Sequence, residues 1–320
     1  MAVVIVTFTA NPSLDRTSLL AGPLDPVGVN QVIASTIFPG GRGFHVSAAL
    51  AAADRSTLAV MPAMKGGPLD ERLRRSGVPH QIIPVPRHAR TNITVTHNGV
   101  ATVFSEPGIA LEPETVTAMV SSMMAHSPGA SWVVLCGSLP PGAPLDLYQR
   151  LCQIAHAVGA KVAVHTAGPA LTATANATGD CTPDVLALNT RQLGHFIDQD
   201  LTTLPADDLL PAAQAALRSL SDAPVPRILL TLGAAGGILA GPEGAWHSRS
   251  EEIPVVTATG RGATALAGYL MARDDGAEDP EALTQAMAYG TARTTMDGAV
   301  TPTPADADGM GVRTSPIDLA

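Results

Sequence analysis

A chain of 320 residues is long enough for one large α/β unit or two smaller ones, and it can bury a substantial core. Hydrophobic residues make up 46% and aromatics only 3%, so that core must be built from Ala, Val, Leu and Ile, which suits helices packed on a parallel sheet. The formal charge of −9, with Lys65 and Lys161 as the only lysines, argues against a general nucleic-acid binder, so an anionic ligand must be held locally by arginines and backbone amides. Cys136, Cys152 and Cys181 are odd in number and lack metal-ligand spacing, which points to a reducing compartment and to buried structural thiols. No basic leader precedes the apolar Val3–Val6 run, and no apolar run reaches bilayer-spanning length. The expectation is a soluble cytoplasmic protein with no membrane partner.

In chain order, Ala2–Phe8 reads as a strand buried on both faces. Asn11, Ser13 and Asp15 follow its carboxyl end, the edge where open α/β sheets hold ligands, and Asp15 either accepts hydrogen bonds from sugar hydroxyls or caps a turn. Thr17–Leu20 and Gln31–Ile37 are strand-like and flank a Gly/Pro-rich loop. Next, Pro39-Gly40-Gly41-Arg42-Gly43-Phe44-His45 leads into a helix expected over Val46–Ala53. Such a glycine elbow leaves backbone N–H groups unpaired, and Arg42 either meets a phosphate there or stays solvated on a structural turn. Strands are expected at Thr57–Met61 and His80–Ile83, with a helix over Leu69–Ser76 between them. Arg90–Phe104 is the clearest hairpin: two alternating β-branched runs meet at Asn98-Gly99, which tolerate a type I′ turn. Paired with the strands around residues 17–37, it forms a small sheet standing off the main one, with a face to bury over a ligand or against a partner's lid.

After Gly108 the chain alternates regularly between strand and helix patterns. Helices are expected over Glu112–His126, Leu145–Val158, Thr190–Ile197, Leu209–Leu220, Ala263–Arg273 and Pro280–Asp297. Strands are expected at Trp132–Cys136, Val162–His165, Val185–Leu188, Arg227–Leu232, Gly236–Ala240, Ala245–Ser248 and Ile253–Val256. Such alternation gives a mostly parallel sheet covered on both faces. The tail after Thr301, rich in Pro, Gly, Asp and Thr, is expected to be partly loose. A second elbow, Gly260-Arg261-Gly262, opens a helix of small and apolar residues, and a helix N-terminus of this kind suits an anion as well as it suits a plain turn. Three further turns follow expected strands: Gly137-Ser138-Leu139-Pro140-Pro141-Gly142, Asn189, and Thr231-Leu232-Gly233-Ala234-Ala235-Gly236-Gly237.

These motifs, in this order, resemble the ribokinase-like carbohydrate kinases of the phosphofructokinase-B type. Asn11-Pro12-Ser13-Leu14-Asp15, Arg90-Thr91-Asn92-Ile93 and Glu106-Pro107-Gly108 resemble the subgroup of 1-phosphofructokinase and tagatose-6-phosphate kinase. The resemblance implies a three-layer α/β/α fold spanning residues 1–320 as one domain, with a small β-sheet lid from about 13–37 and 88–106. It implies a homodimer through the lid, and ATP, Mg2+ and a sugar phosphate as cofactors and ligands. Asp15, Gly40, Gly41, Arg42, Gly43 and His45 would touch the sugar, with Arg90 and Asn92 contacting it or its phosphate from the lid. Asn189 would lie near the nucleotide phosphates and magnesium, and Thr231, Gly233 and Gly236 would line the nucleotide site. Gly260, Arg261 and Gly262 would form the anion hole for the transferred group.

The departures from the family pattern fall on chemistry. Where the family's elbow ends in the Asp that takes the sugar hydroxyl's proton, this chain has Ala263. A sugar-binding Asn is replaced by His45, the Asp of Asp-Thr-Ser-Gly by His165, and the acidic residue linked to magnesium by Gln192, while Arg261 stands where the family has a small residue. Three readings follow: a sugar-phosphate kinase with His45 or His165 as a substitute base, a binding or regulatory pseudokinase, and a dimeric interaction module.

Overall fold

The computed structural model describes residues 4–319 except 221–223, 252, 258 and 297–299. Its elements begin with β1 (Val4–Thr9), β2 (Ser13–Leu20), β3 (Val32–Gly40), α1 (Arg42–Ala52), β4 (Thr57–Ala63), α2 (Pro68–Ser76) and β5 (His80–Pro84). The hairpin β6 (Arg90–His97) and β7 (Val100–Ser105) turns at Asn98 and Gly99, whose φ angles of 47° and 79° are the positive pair that a type I′ turn demands. Then come α3 (Pro113–His126), β8 (Ala130–Cys136), α4 (Leu147–Ala157), β9 (Lys161–His165), α5 (Pro169–Ala175), β10 (Val185–Asn189), α6 (Thr190–Ile197), α7 (Ala206–Ser219) and β11 (Ile228–Thr231). The remainder is β12 (Gly237–Gly241), β13 (Gly244–Arg249), α8 (Arg261–Asp274), α9 (Asp279–Thr294), α10 (Pro304–Asp308) and β14 (Arg313–Ile317).

Ten strands form one sheet in the order β14-β13-β12-β11-β10-β9-β8-β1-β4-β5. From β11 to β5 every pairing is parallel, and β12, β13 and β14 add an antiparallel edge. Alternate residues of the central strands feed two cores. Val6, Phe8, Val133 and Leu135 meet α3, α4, α6 and α7 on one face, while Ile5, Trp132 and Val134 meet α1, α8 and α9 on the other. Helices on both faces of a mostly parallel sheet make the three layers expected from the βα alternation. The second sheet runs β3-β2-β6-β7 and stands apart from the first. Its β2–β6 pairing is parallel and sets Asp15 directly opposite Asn92, so both side chains share one face.

Two expectations are corrected. No strand forms over 253–256: the Val256 and Thr257 N–H groups both donate to Thr294 O, at 2.7 and 3.1 Å, and Val255 and Val256 are exposed. The slot beside β13 is taken by the tail expected to be loose, because β14 pairs with β13 from Ala245 to Arg249. The tail's helix α10 starts at Thr303, whose hydroxyl and backbone exchange hydrogen bonds with Asp306 in a capping box. The expected first strand residues Ala2 and Val3 and the expected last helix residue Asp297 lie outside the described residues.

Candidate functional site

The carboxyl ends of β1, β8, β9, β10 and β11, together with the facing lid strands, enclose a cavity of about 760 Å³. At its lid end Asp15 sits in a fixed polar frame. Ser13 Oγ donates to Asp15 Oδ1 at 2.7 Å, and Asn92 Nδ2 donates to the same oxygen at 2.9 Å and to Ser13 Oγ at 3.0 Å. Ser105 Oγ holds Asn92 in turn by donating to its Oδ1 at 2.9 Å. His45 Nε2 lies 3.5 Å from Asp15 Oδ2. Burial pushes the Asp15 carboxyl up, but the hydrogen bond and charge of His45 and the hydrogen bonds of Ser13 and Asn92 outweigh it and hold the group below its usual 3.8. The result is an ionised acceptor suited to hydroxyl groups. Gly40 does not line the cavity; a Cβ there would strike the Asp15 carboxylate, so the glycine gives Asp15 its room.

Two helices with glycine N-caps point their N-termini at this cavity, and in α1 the Phe44 N–H is taken by Thr9 Oγ1 at 3.1 Å. Helix α1 begins four residues earlier than the pattern predicts, at Arg42, because Gly41 takes φ 117° and turns the chain off β3 as the N-cap. Arg42 and His45 therefore sit in the first turn, where both line the cavity. Gly43 does not line it; its missing side chain lets α1 lie against Thr9 Oγ1 and Phe8 O. Helix α8 begins the same way, with Gly260 as N-cap at φ 86° and no side chain bonded to its first N–H groups. Arg42 Nη1, Arg90 Nε and Arg261 Nε are all buried and make no hydrogen bond, while Arg90 Nη1 donates to Ser105 Oγ at 3.1 Å and to Glu106 O at 2.8 Å. Burial lowers the pKa of each of these guanidinium groups, yet arginine stays charged at neutral pH, so the cavity carries positive charge suited to an anion.

Gly260, Arg261, Gly262 and Ala263 all line the cavity, and Ala263 is only 3% exposed. The imidazole of His165, at the end of β9, closes on this elbow: its Cε1 lies 3.2 Å from where a Cβ on Gly262 would be. His165 is 4% exposed and its Nδ1 has no hydrogen bond. Burial, aided by the Arg42 charge, pushes its pKa well below 6.5, so the ring is neutral at pH 7. Between that lowered value and 6.5 the unfolded chain binds a proton that the folded chain refuses, so stability falls with falling pH. We expect denaturant melts to show about 1 kcal/mol lost per pH unit below about 6.5, and His165→Gln to flatten that slope. Equal slopes in both proteins would assign the loss to other groups.

At the far end, Asn189, Thr231 and Gly233 line the cavity, and Gly236 does not. Gly236 instead closes the turn into β12, with φ 90° and its carbonyl accepting from Leu232 N at 2.8 Å. Helix α6, unlike α1 and α8, is capped by its own N-cap side chain: Asn189 Oδ1 accepts from Gln192 N at 2.9 Å, and Gln192 Oε1 accepts from Asn189 N at 2.8 Å. Gln192 Nε2 is spent on Thr166 O.

The cavity also gathers residues that the motifs did not single out as ligands. Ser138 belongs to the Gly-Ser-Leu-Pro-Pro-Gly turn, and Arg191 lies beside Asn189, so both were within reach of sequence reasoning. Ser105, Thr202 and Thr294 arrive from the end of β7, a short 3-10 turn over Leu201–Thr203 and the last turn of α9, and no local pattern announces them.

Comparison with known proteins fits this geometry. A family model described as pfkB family carbohydrate kinase matches residues 18–306. A 1-phosphofructokinase of Rhodobacter capsulatus is 28% identical over 296 residues, 90% of each chain. Phosphofructokinase-2 from Escherichia coli, solved in complex with substrates and products, superposes with a TM-score of 0.83 at 26% identity, covering 96% of this chain and 98% of that one. A possible 1-phosphofructokinase from Thermotoga maritima gives 0.82 at 21% identity over 98% and 100% of the two chains, a likeness of fold. The large sheet with its helices and separate lid sheet is the ribokinase-like fold that the motifs implied. A family match over most of the chain and the ligand-facing edge of β1 to β11 agree: this chain belongs to the pfkB family of carbohydrate kinases.

Proposed function

We propose that this PfkB-type protein binds a sugar phosphate in the cavity beneath its lid and has lost phosphoryl transfer, as a pseudokinase. One observation carries the reading. At the elbow where a proton acceptor is required stands the methyl group of Ala263, and Asp15 is the sole carboxylate among the described residues lining the cavity. Asp15 already accepts from Ser13 and Asn92. A general base contributes about 10²–10⁴-fold to such reactions. His165 is a poor substitute because burial keeps its ring from taking a proton, and His45 is turned to Asp15. The binding half of the reading is supported by the Asp15–Asn92 frame, the uncapped first turn of α8, and the buried nitrogens of Arg42, Arg90 and Arg261 that have no partner. ATP and Mg2+ are what kinases of this family generally use, and Thr231, Gly233 and Asn189 are where a nucleotide would lie. Incubation with ATP, Mg2+ and fructose 1-phosphate or tagatose 6-phosphate is expected to yield no bisphosphate above background, while either sugar phosphate raises the melting temperature. Steady product formation overturns the reading.

The cavity draws residues from both sheets, which supports one functional unit across 1–320 with the lid inserted at about 13–37 and 88–106. The lid leaves Ile33 64%, Val103 55% and Phe104 53% exposed, apolar surface that supports pairing with a second lid as a homodimer. Light scattering is expected to return twice the chain mass; a monomer at micromolar concentration counts against it. The cysteines, with Cys136 and Cys152 buried and all three free, support a cytoplasmic setting. No described helix is long and apolar enough to cross a membrane.

A further inference from the structure

Magnesium does not fit the residues present. Mg2+ asks for hard oxygen ligands, usually one or two carboxylates besides the substrate's phosphates. Among the described residues no group of three His, Cys, Asp or Glu side chains could hold a metal ion. The one described cavity carboxylate, Asp15, is framed by Ser13 and Asn92 at the lid end. At the far end Asn189 Oδ1 is already committed to capping α6, as is Gln192 Oε1 behind it, and the side-chain oxygens that remain there are neutral hydroxyls such as those of Thr190 and Thr231, with no carboxylate among them. Cations stand around the rest: Arg42, Arg90, Arg191 and Arg261 all line the cavity, four positive charges against one described carboxylate. A divalent cation entering there meets repulsion, and a phosphate does not need it for charge neutralisation.

From this disagreement we propose that the cavity takes a sugar carrying two phosphate groups without any divalent cation, with Arg42 and Arg90 on one phosphate and Arg261 with the uncapped turn of α8 on the other. The inference rests on the reading above that the pocket binds without transferring. Two separate anion subsites follow from where the unpaired nitrogens are. Arg90 feels the charges of Arg42 and Asp15, and both arginines line the cavity with Asp15, which places them beside the hydroxyl-binding frame. Arg261 feels no charged neighbour of that set; its stem runs along α9, with Cγ 3.4 Å from where a Cβ of Gly290 would be. It therefore serves a different group at the other helix start. His165 supplies an independent sign of a ligand at that elbow. It is 4% exposed, its Nδ1 is unpartnered, and its ring lies against Gly262. A neutral imidazole N–H there can donate to a phosphate oxygen, and an Arg beside a helix N-terminus does the charge work a metal would otherwise do.

The test is calorimetric titration of the full chain with fructose 1,6-bisphosphate, once in EDTA and once in Mg2+. Binding in EDTA is expected to be no weaker than in Mg2+. Arg42→Gln and Arg261→Gln are each expected to weaken it by about tenfold to a hundredfold, with Arg261→Lys falling between wild type and Arg261→Gln. Unchanged melting temperatures of the free variants guard against misfolding as the cause, and a variant that melts early is replaced by its Lys counterpart. Binding seen only with Mg2+ overturns the proposal, and so does undiminished binding in Arg261→Gln. If fructose 1-phosphate binds and the bisphosphate does not, the second subsite is refuted while the pseudokinase reading stands. If ATP-dependent product forms, that reading falls first, and titration in EDTA still judges metal-free binding on its own.

Discussion

Asp279→Ala is expected to lower the unfolding free energy by about 3–5 kcal/mol, the largest stability effect we expect of any single change to the molecule. The Asp279 side chain has no solvent exposure. Arg227 Nε donates to both its oxygens at 3.0 Å, and Arg273 Nη1 donates to Oδ1 at 3.0 Å while also holding Ala277 O at 2.8 Å. The cluster fastens three elements: the residue before β11, the last turn of α8 and the first turn of α9. Removing the carboxylate leaves two guanidinium groups, each about one-fifth exposed, with Arg227 keeping only its 3.6 Å pairing with the exposed Glu243 and Arg273 losing its carboxylate partner. Asp279→Asn keeps the shape and one acceptor, so it should lose less. Urea denaturation at pH 7 measures both, and a loss under 1 kcal/mol for Asp279→Ala would mean that solvent reaches the two arginines. The cluster lies away from the cavity, so sugar-phosphate binding by the folded fraction should be unaltered.

Sequence patterns foretold local structure well where a local interaction decides it. The helix Thr190–Ile197 has the bounds that its pattern predicts, because Asn189 and Gln192 cap each other three residues apart. The lid hairpin turns where Asn98-Gly99 requires it to. What escaped depends on partners far along the chain. The tail looks loose by composition, yet β14 is held by an open edge at β13, and Thr314 Oγ1 meets Thr284 Oγ1 at 2.5 Å, neither of which is visible locally. Residues 253–256 have strand-like apolar content, but with that edge filled the N–H groups of Val256 and the following Thr257 turn to the end of α9. The start of α1 was missed because Gly-Arg-Gly looks like a loop, whereas Gly41 at positive φ makes it a first helical turn. The site divides the same way. Its glycine elbows and Asp15–Asn92 frame are written in short motifs, while Thr202 and Thr294 reach the cavity only through tertiary packing. Asp279 was equally hidden: an acidic residue at a helix start normally needs no partner beyond the helix dipole, and Arg227 lies 52 residues away.

Ala263→Asp is expected to leave product formation within about tenfold of the unmodified chain, far short of the 10²–10⁴ that a missing base alone would account for. The position itself can take a carboxylate. It is the third residue of α8, where an acidic side chain is favoured by the helix dipole and can bond back to the N-cap N–H. What surrounds it works against transfer. Arg261, two residues earlier, has a buried Nε without a partner and offers the new carboxylate an ion pair. Gln192 remains neutral and locked to Asn189 and Thr166, so no acidic group draws a metal toward the phosphates. His165 still lies against Gly262. Phosphoryl transfer depends on positioning and charge neutralisation more than on proton removal, so restoring the base corrects the smaller part of the deficit. Adding Arg261→Ala to Ala263→Asp frees the carboxylate and should raise turnover above the single variant, and adding Gln192→Glu should raise it further in Mg2+. Coupled assays with fructose 1-phosphate measure the series. A single Ala263→Asp variant that recovers a hundredfold or more would show that the cations and the neutral Gln192 are bystanders, and that the loss of one proton acceptor silenced an otherwise intact kinase.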